Sequence, residues 1–507
     1  MSVKIIKDNT FAVIKSAVDK TVDLISPTFG PSSNKVIISK VTHGFVLDDG
    51  VQIARDLELN DLVENAVMKI VRETAIKTND RVGDGTTGAL IMLQAIIEEV
   101  SKFKNKDGRK IEQELKKGFK ECEKQLLAKA QLVETQEELL KVARISFDDE
   151  KIAKLIADAW FKLGKDGVLT VDRSSTMETI VELTDGIKIN RGYLSPYMIT
   201  DPQKMEGVIE KPYILITDLR LTEVNDVIKI MNQLAKKEIL NLVIIADNVE
   251  QNALSTLVIN KMQGKFNTIA INAPAGDNQT ALLEDIATMT GGKFFSQKKG
   301  DKIDTATIEN LGRADRFIAS RTESVIIGPR GNEEEINKIK ADLSKAIEGE
   351  KLEAQKNELK KRLAKFSNKV GVIKVGAPTE NEVNALRYKI DDAVNATQAA
   401  FKGGVVCGGG LSLARLNTSS GLLNKALQAP FKHLKNNVGR DDDDLIKENE
   451  ALNVVTGEIG EWMKVGVMDP VDVIIAQIES AISIASLLVT VSGLVVEEPK
   501  QIKQEQE

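Results

Sequence analysis

Leu62, Val63, Ala66, Val67, Ile70, Val71 and Thr74 recur at spacings of three and four, the period that lines one face of an α-helix. A second apolar helical run follows at Ala89, Leu90, Met92, Leu93, Ile96, Ile97 and Val100. Residues 10–130 are therefore expected to be mostly helical, interrupted by an extended segment at Lys35–Ser39 and a turn at Asp48-Asp49-Gly50. The middle has a different rhythm. Tyr213–Thr217, Asn241–Ala246 and Asn267–Asn272 are short apolar runs separated by amphipathic helical patterns, which predicts strand–helix alternation and a largely parallel sheet. From Glu333 to Lys365 a densely charged stretch with Ile and Leu at helical spacing predicts an exposed helix pair broken near Gly349. From about residue 403 the pattern is helical again. Its most apolar part, Val473–Val496, carries Gln477, Glu479 and several serines and reads as a buried helix rather than a membrane span. The polar end from Glu497 onward is expected to be disordered. Helical ends around an α/β middle suggest one domain built from both termini with another inserted; three sequential domains fit the same pattern.

Composition narrows the class. At 507 residues the chain exceeds what one hydrophobic core serves, so about three domains are expected. Hydrophobic residues at 42% and charged residues at 28% suit a soluble globular protein, and aromatics at 4% leave the cores to Ile, Val, Leu and Ala. A net charge of −6 gives no electrostatic case for nucleic acid or an anionic membrane. Cys122 and Cys407 are the only cysteines, and His43 and His433 the only histidines. They are too few for a disulfide framework or a His-based metal site and fit a reducing compartment. Neither a secretory signal nor a transit peptide is visible at the N-terminus. A cytoplasmic protein is expected.

The strongest chemical signal is Asp80-Arg81-Val82-Gly83-Asp84-Gly85-Thr86-Thr87-Gly88, directly before the second apolar run. Glycines allow close approach of an anion to the backbone, and a helix start offers free N–H groups and a positive dipole end. Asp84 can hold a hard cation such as Mg²⁺ through oxygen, while Thr86 and Thr87 can bond phosphate oxygens. The chain has neither a G-x-x-x-x-G-K-[ST] run nor a strand followed by G-x-G-x-x-G, so this is not a P-loop or a dinucleotide fingerprint. Taken alone, the motif also suits a Gly-rich turn that merely caps a helix.

Further motifs follow in order: Pro27-Thr28-Phe29-Gly30-Pro31, Asp48-Asp49-Gly50-Val51, Asp185-Gly186, and Arg191-Gly192-Tyr193-Leu194-Ser195-Pro196-Tyr197. Beyond them lie Asp285-Ile286-Ala287-Thr288-Met289-Thr290-Gly291-Gly292, Asp392-Ala393 with Ala396-Thr397, Gly408-Gly409-Gly410 and Met468-Asp469-Pro470. In this order and spacing they closely resemble a group I chaperonin, the ring-forming folding machine of bacteria and organelles, over roughly residues 5–495. The resemblance implies a multidomain α + α/β fold. A helical equatorial domain would span 1–131 and 404–507, a small intermediate domain 132–185 and 371–403, and an inserted α/β apical domain 186–370. It also implies homo-oligomeric, heptameric rings, single or double, that bind ATP equatorially and non-native polypeptide apically.

Residue by residue, the resemblance assigns phosphate binding to Thr28, Phe29, Gly30, Pro31, Gly85, Thr86, Thr87 and Gly88, and the metal carboxylate to Asp84. Asp392, with Asp49, would complete the hydrolytic site; two carboxylates around a water near the γ-phosphate suit phosphoryl transfer. Gly409 would pack on the nucleotide, Asp469 accept ribose hydroxyls and Asn453 lie near the base. Two departures stand out: Asp48 replaces the usual Lys, and Gly88 the usual third Thr. Asp48 could still offer its carbonyl to a monovalent cation such as K⁺. ATP hydrolysis is expected to be retained but altered in rate or ion dependence.

Polypeptide binding would fall on Tyr193, Tyr197 and Met198, with Ile228, Met231, Leu254, Val258 and Ile259 from two apical helices. Helical apolar spacing alone fits core packing equally well. In the family this groove also binds the mobile loop of a lid-like co-chaperonin. The upper-hinge glycines are replaced by Asn368-Lys369, and a charged end stands where the family has a Gly-Gly-Met-rich tail. Asp441-Asp442-Asp443-Asp444 reads as a solvated acidic loop, and Cys407 as a small core residue. An ATP-driven folding chamber is the favoured reading. The others are a degenerate ring that holds or scaffolds clients with weak ATPase, and a small-molecule phosphotransferase.

Overall fold

The computed structural model describes residues 2–498 apart from 32–33, 40–43, 48–49, 104–106, 148, 166, 175, 203, 275–278, 350–354, 357–358, 360–361, 364–365, 367–368 and 441–445. His43, Asp48, Asp49, Asn368 and the Asp441–Asp444 run lie outside the described residues. The chain divides into two compact units: Met1–Lys165 with Val171–Ile180 and Lys374–Glu507, and Asp166–Thr170 with Val181–Ile373. The first unit joins both ends of the chain. The three-part division expected above is not resolved as such, because its equatorial and intermediate segments share one unit.

The first unit is built around the helix Val471–Val489. Apolar residues cover nearly its whole circumference, and such a helix is stable only when enclosed. It packs against helices Leu62–Val82, Thr86–Ser101 and Gly108–Lys129, with Ile474, Ile475, Ile478, Ala481 and Ile482 inside. Helix Leu62–Val82 is capped by Asp61, whose carboxylate accepts from the N–H groups of Val63 and Glu64, and it stops at Gly83 in the left-handed region. A further helix, Glu380–Gly403, opens with a Thr379–Glu382 capping box. It lies against helices Gln136–Ser146 and Glu150–Leu163, where Trp160 Nε1 donates to the Val394 carbonyl at 3.1 Å. Two antiparallel ribbons complete the unit's periphery, Ser2–Ile6 with Leu494–Glu498 and Val36–Ser39 with Gly44–Leu47.

In the second unit Asn267–Asn272, Asn241–Ala246 and Tyr213–Thr217 are neighbouring parallel strands. These are the three runs picked out by composition. Beyond them the sheet turns antiparallel through Gly312–Ala319, Ser324–Pro329 and Ile180–Ile189, so it is mixed rather than largely parallel. The short connection between Gly312–Ala319 and Ser324–Pro329 makes that pair an antiparallel hairpin, since a parallel pair would need a long crossover. Helices Val224–Lys236 and Gln251–Met262 lie side by side and close the core with Val227, Leu234, Ala253 and Leu257. Helix Glu333–Gly349 matches the first half of the charged helix pair; most of the second half lies outside the described residues.

One other expectation is revised, and one strand was not foreseen. Glu497 and Glu498 are strand residues held by Val3 and Ser2, so chain pairing outweighs their polar composition. The hairpin strand Gly44–Leu47 carried no independent signal in the sequence.

Asp285, 4% exposed, is held by Arg362, whose Nε and Nη2 donate to its two carboxylate oxygens at 2.7 and 2.6 Å. Replacing Arg362→Ala should destabilise the protein by about 2 kcal/mol. That is below the roughly 3–5 kcal/mol of a fully enclosed pair, because the arginine keeps a wet edge. Urea unfolding of both proteins measures it, and Asp285→Asn combined with Arg362→Ala should recover part of the loss.

Candidate functional site

Three residues separate helix Thr86–Ser101 from the end of the previous helix, and the reversal needs two glycines in the left-handed region, Gly83 at φ 69° and Gly85 at φ 80°. The turn puts Asp84 at the mouth of a helix N-terminus, where its Oδ1 accepts from Gly85 N at 2.5 Å. Thr86 and Thr87 form the first turn of that helix and are each 8% exposed. No side chain of the N-cap residue caps this end, so its N–H groups keep anion-binding capacity.

Three other loops are gathered around this start. Thr28 Oγ1 donates to the Ile25 carbonyl at 2.8 Å and lies 3.5 Å from Thr87 Oγ1. A Cβ at Gly50 would stand 2.2 Å from Thr87 Oγ1, so the backbone next to Asp49 touches the same threonine. Leu434 fills the space beside two glycines: a Cβ at Gly30 would be 2.3 Å from its Cδ1, and one at Gly409 3.5 Å from its Cδ2. Leu434 lies on helix Ala429–Asn437, and at its end Asn437 Nδ2 donates to the carbonyls of Ser26 and Phe29 at 3.2 and 3.0 Å. This holds the Pro27–Gly30 loop in place.

Asp469 lies on the strand Met468–Pro470, paired with Val405–Cys407. Its carboxylate accepts from the backbone N–H groups of Gly409 and Gly410, yet burial, and then the charge of Asp84, push it up to about 7. Burial also raises Asp84. Among the described residues no lysine or arginine pairs with either. Two like charges set near each other in a poorly hydrated place fit a hard cation, and Asp84, on the helix-start side, is the residue that would hold it.

Asp392 sits on helix Glu380–Gly403, half-buried. Asn395, one turn further along the same face, packs on the glycine turn: a Cβ at Gly83 would be 2.2 Å from its Nδ2. The helix face carrying Asp392 is thus docked at the site. Asn453 is used otherwise, its Oδ1 accepting from Val455 N and Thr456 N and its Nδ2 donating to the Val465 carbonyl. It shapes the turn between the strands Glu450–Leu452 and Ile459–Glu461. Pro31 is exposed beside Gly30. Cys407 is buried, with its thiol pushed up to about 11 by that burial, as a core residue should be. Asn395, Leu434, Asn437 and Gln477 were missed from sequence; only Gln477, a lone amide in an apolar helix, carried a visible signal.

In the second unit Tyr193 and Leu194 are pinned by hydrogen bonds from their N–H groups to the carbonyls of Ser320 and Ala270. Ser195 caps the turn Pro196–Met198, which leaves Tyr197 63% exposed. Lys261 Nζ ties that turn to helix Gln251–Met262 by donating to the Met198 carbonyl at 2.9 Å. Ile259 is 52% and Met262 66% exposed on that helix, with Leu254 and Val258 half-buried, and Val224 is 42% exposed on its neighbour. Ile228 is half-buried. Met198 and Met231 are a correction to the surface set: at 0% and 1% exposure they are core residues, because their side chains point under the helices.

The sequence model of the TCP-1/cpn60 chaperonin family matches residues 22–419. Among solved structures, the chaperonin gp146 from the bacteriophage EL 2 (Pseudomonas aeruginosa), crystallised in presence of ATP-BeFx, superposes with a TM-score of 0.70 at 22% identity, covering 98% of this chain and 99% of that one. A second crystal form of that protein gives a TM-score of 0.62 at the same identity and coverage.

The raised Asp469 carboxyl has a defined consequence for stability. A buried acid with an elevated folded-state value costs nothing below the ordinary carboxylate range. Its penalty grows as pH rises toward about 7 and is complete above it. Asp469→Asn should therefore raise the melting temperature of the nucleotide-free protein increasingly between about pH 4 and pH 7. Thermal melts across that range check it, and a pH-independent difference would contradict the assignment.

Proposed function

The chain belongs to the TCP-1/cpn60 chaperonin family, and from that premise we propose that it is a cytoplasmic, ATP-driven folding chamber of the group I kind. The observation that carries this reading is the convergence of Asp84, Asp469, Thr28 and Thr87 on one open helix N-terminus. In this reading the N–H groups of that helix and the hydroxyls of Thr86, Thr87 and Thr28 bind phosphates, and Gly30 and Gly409 keep the backbone close. Mg²⁺ held by Asp84 would neutralise phosphate charge, and K⁺ is a candidate second ion. Asp469 orients the ribose. Asp392 holds the attacking water, with Asp49 as its partner, and its helix makes turnover depend on domain movement.

Ring assembly is supported by the two ribbons. Each is only two strands wide and so presents unpaired edges, and Ile5, Ile37 and Val495 are exposed on them. A neighbouring copy adding its strands would satisfy both. The domain limits given above, and a heptameric ring, belong to this proposal. Clients would bind at Tyr197, Ile259, Ile228, Leu254 and Val258, with Met262 and Val224 added. Burial of apolar surface is non-directional, about 25 cal/mol per Å², and so accepts many unfolded sequences. A lid-like co-chaperonin would compete for the same surface.

Asp392→Ala should lower ATP turnover about a hundredfold while nucleotide still binds, as measured by phosphate release and by equilibrium binding. Turnover equal to wild type would remove Asp392 from its role. Ile259→Asp should abolish retention of a denatured client with ATPase within about twofold of wild type. Undiminished client capture would relocate the binding surface.

A further inference from the structure

Val473 and Gln477, one turn apart on helix Val471–Val489, face the start of helix Thr86–Ser101. A Cβ at Gly85 would lie 2.5 Å from Gln477 Nε2 and 2.7 Å from Val473 Cγ1, and a Cβ at Gly88 would lie 3.0 Å from Gln477 Cδ, Nε2 and Oε1. Gly85 has a backbone reason to be glycine, its positive φ of 80°. Gly88 has none: it sits in the first turn of a regular helix, where glycine costs about 1 kcal/mol relative to alanine. Its reason is steric. The Gln477 carboxamide occupies the place a side chain at position 88 would take.

That carboxamide is itself unusual. Gln477 is 6% exposed, and among the described residues its amide has no hydrogen-bond partner. Its amide atoms are not sealed from solvent, so a ligand at the helix start can reach them. The amide is held against the residue that caps the helix start, next in sequence to Asp84, where the N–H groups converge.

We propose that Gln477 contacts the bound nucleotide, donating from Nε2 to a phosphate oxygen and so supplying from the C-terminal helix the polar group that position 88 forgoes. This rests on the nucleotide site proposed above and adds to it a contact outside the glycine-rich motif. Gly88 and Gln477 are then one functional pair: enlarging the first without shrinking the second closes the site.

Equilibrium MgATP binding by the purified full-length protein tests this with five variants. Gln477→Ala and Gln477→Met should each weaken binding about tenfold, the scale of one hydrogen bond to a charged group. The methionine keeps the volume and loses the amide. Gly88→Thr alone should weaken binding at least as much, by collision. Gly88→Thr/Gln477→Ala should bind more tightly than either single variant, because a hydroxyl replaces the amide. Gly88→Val/Gln477→Ala, of the same shape without the hydroxyl, should not recover. Wild-type affinity in Gln477→Met, or equal recovery by the valine and threonine pairs, would reduce the contact to packing and overturn the proposal. A wild-type protein that binds no MgATP would instead overturn the nucleotide site itself.

Discussion

Two carboxylates of like charge, Asp84 and Asp469, are held close enough for one to raise the other in a place where water screens them poorly. Nothing in the folding of an isolated domain favours that arrangement, since like charges out of water repel and lose hydration. The first unit nevertheless arranges its loops to maintain it. Gly409 and Gly410 turn their N–H groups onto Asp469, Gly83 and Gly85 bend the chain to place Asp84, and the enclosed helix Val471–Val489 follows directly from the strand that carries Asp469. A cation between the two carboxylates would relieve that repulsion.

Glycine serves different physical ends around that point. At 83 and 85 it supplies a backbone conformation. At 50 it removes a side chain that would collide with Thr87, and at 88 one that would collide with Gln477. Leu434 shows the converse, one large apolar side chain taking up the space left by Gly30 and Gly409 and thereby fixing the distance between two loops. The helix with Asp392 enters the same system through Asn395 on Gly83. Movement of that helix would be felt at the turn bearing Asp84. Coupling chemistry to conformation needs only this contact and a second position for the helix.

The second unit shows the opposite economy, a well-packed sheet that leaves part of its helical surface apolar and wet. Core residues Val227, Met231, Leu234 and Leu257 satisfy the inner faces of the two helices. Tyr197, Val224, Ile259 and Met262 are left exposed. Lys261 anchors the Tyr197 turn from beneath, so the exposed residues rest on a rigid support rather than a loose loop. In the proposed reading, such a surface on a firm base would capture unfolded chains with little ordering cost on the protein's side.

Much of this was legible in the chain. Apolar runs of five or six residues marked the three parallel strands to their ends, because a strand buried on both faces must be continuously apolar. Helical periodicity marked the cores of the first unit. The glycine–carboxylate–threonine order marked the turn between helices Leu62–Val82 and Thr86–Ser101, where two glycines take the left-handed region. What remained hidden depends on distance along the chain and on helix rotation. Spacings of three and four fit Met231 and Ile228 alike, and only packing decided that Met231 faces the sheet while Ile228 stays half-exposed. No local pattern joins Asp84 to Asp469, Leu434 to Gly30, or Gln477 to Gly88, because each pair meets only when the two ends of the polypeptide close on one core. Local pattern is enough to say which segments become helix or strand, because periodicity is a property of neighbours; which distant residues meet depends on helix rotation and on how the chain ends close, and that no local pattern carries.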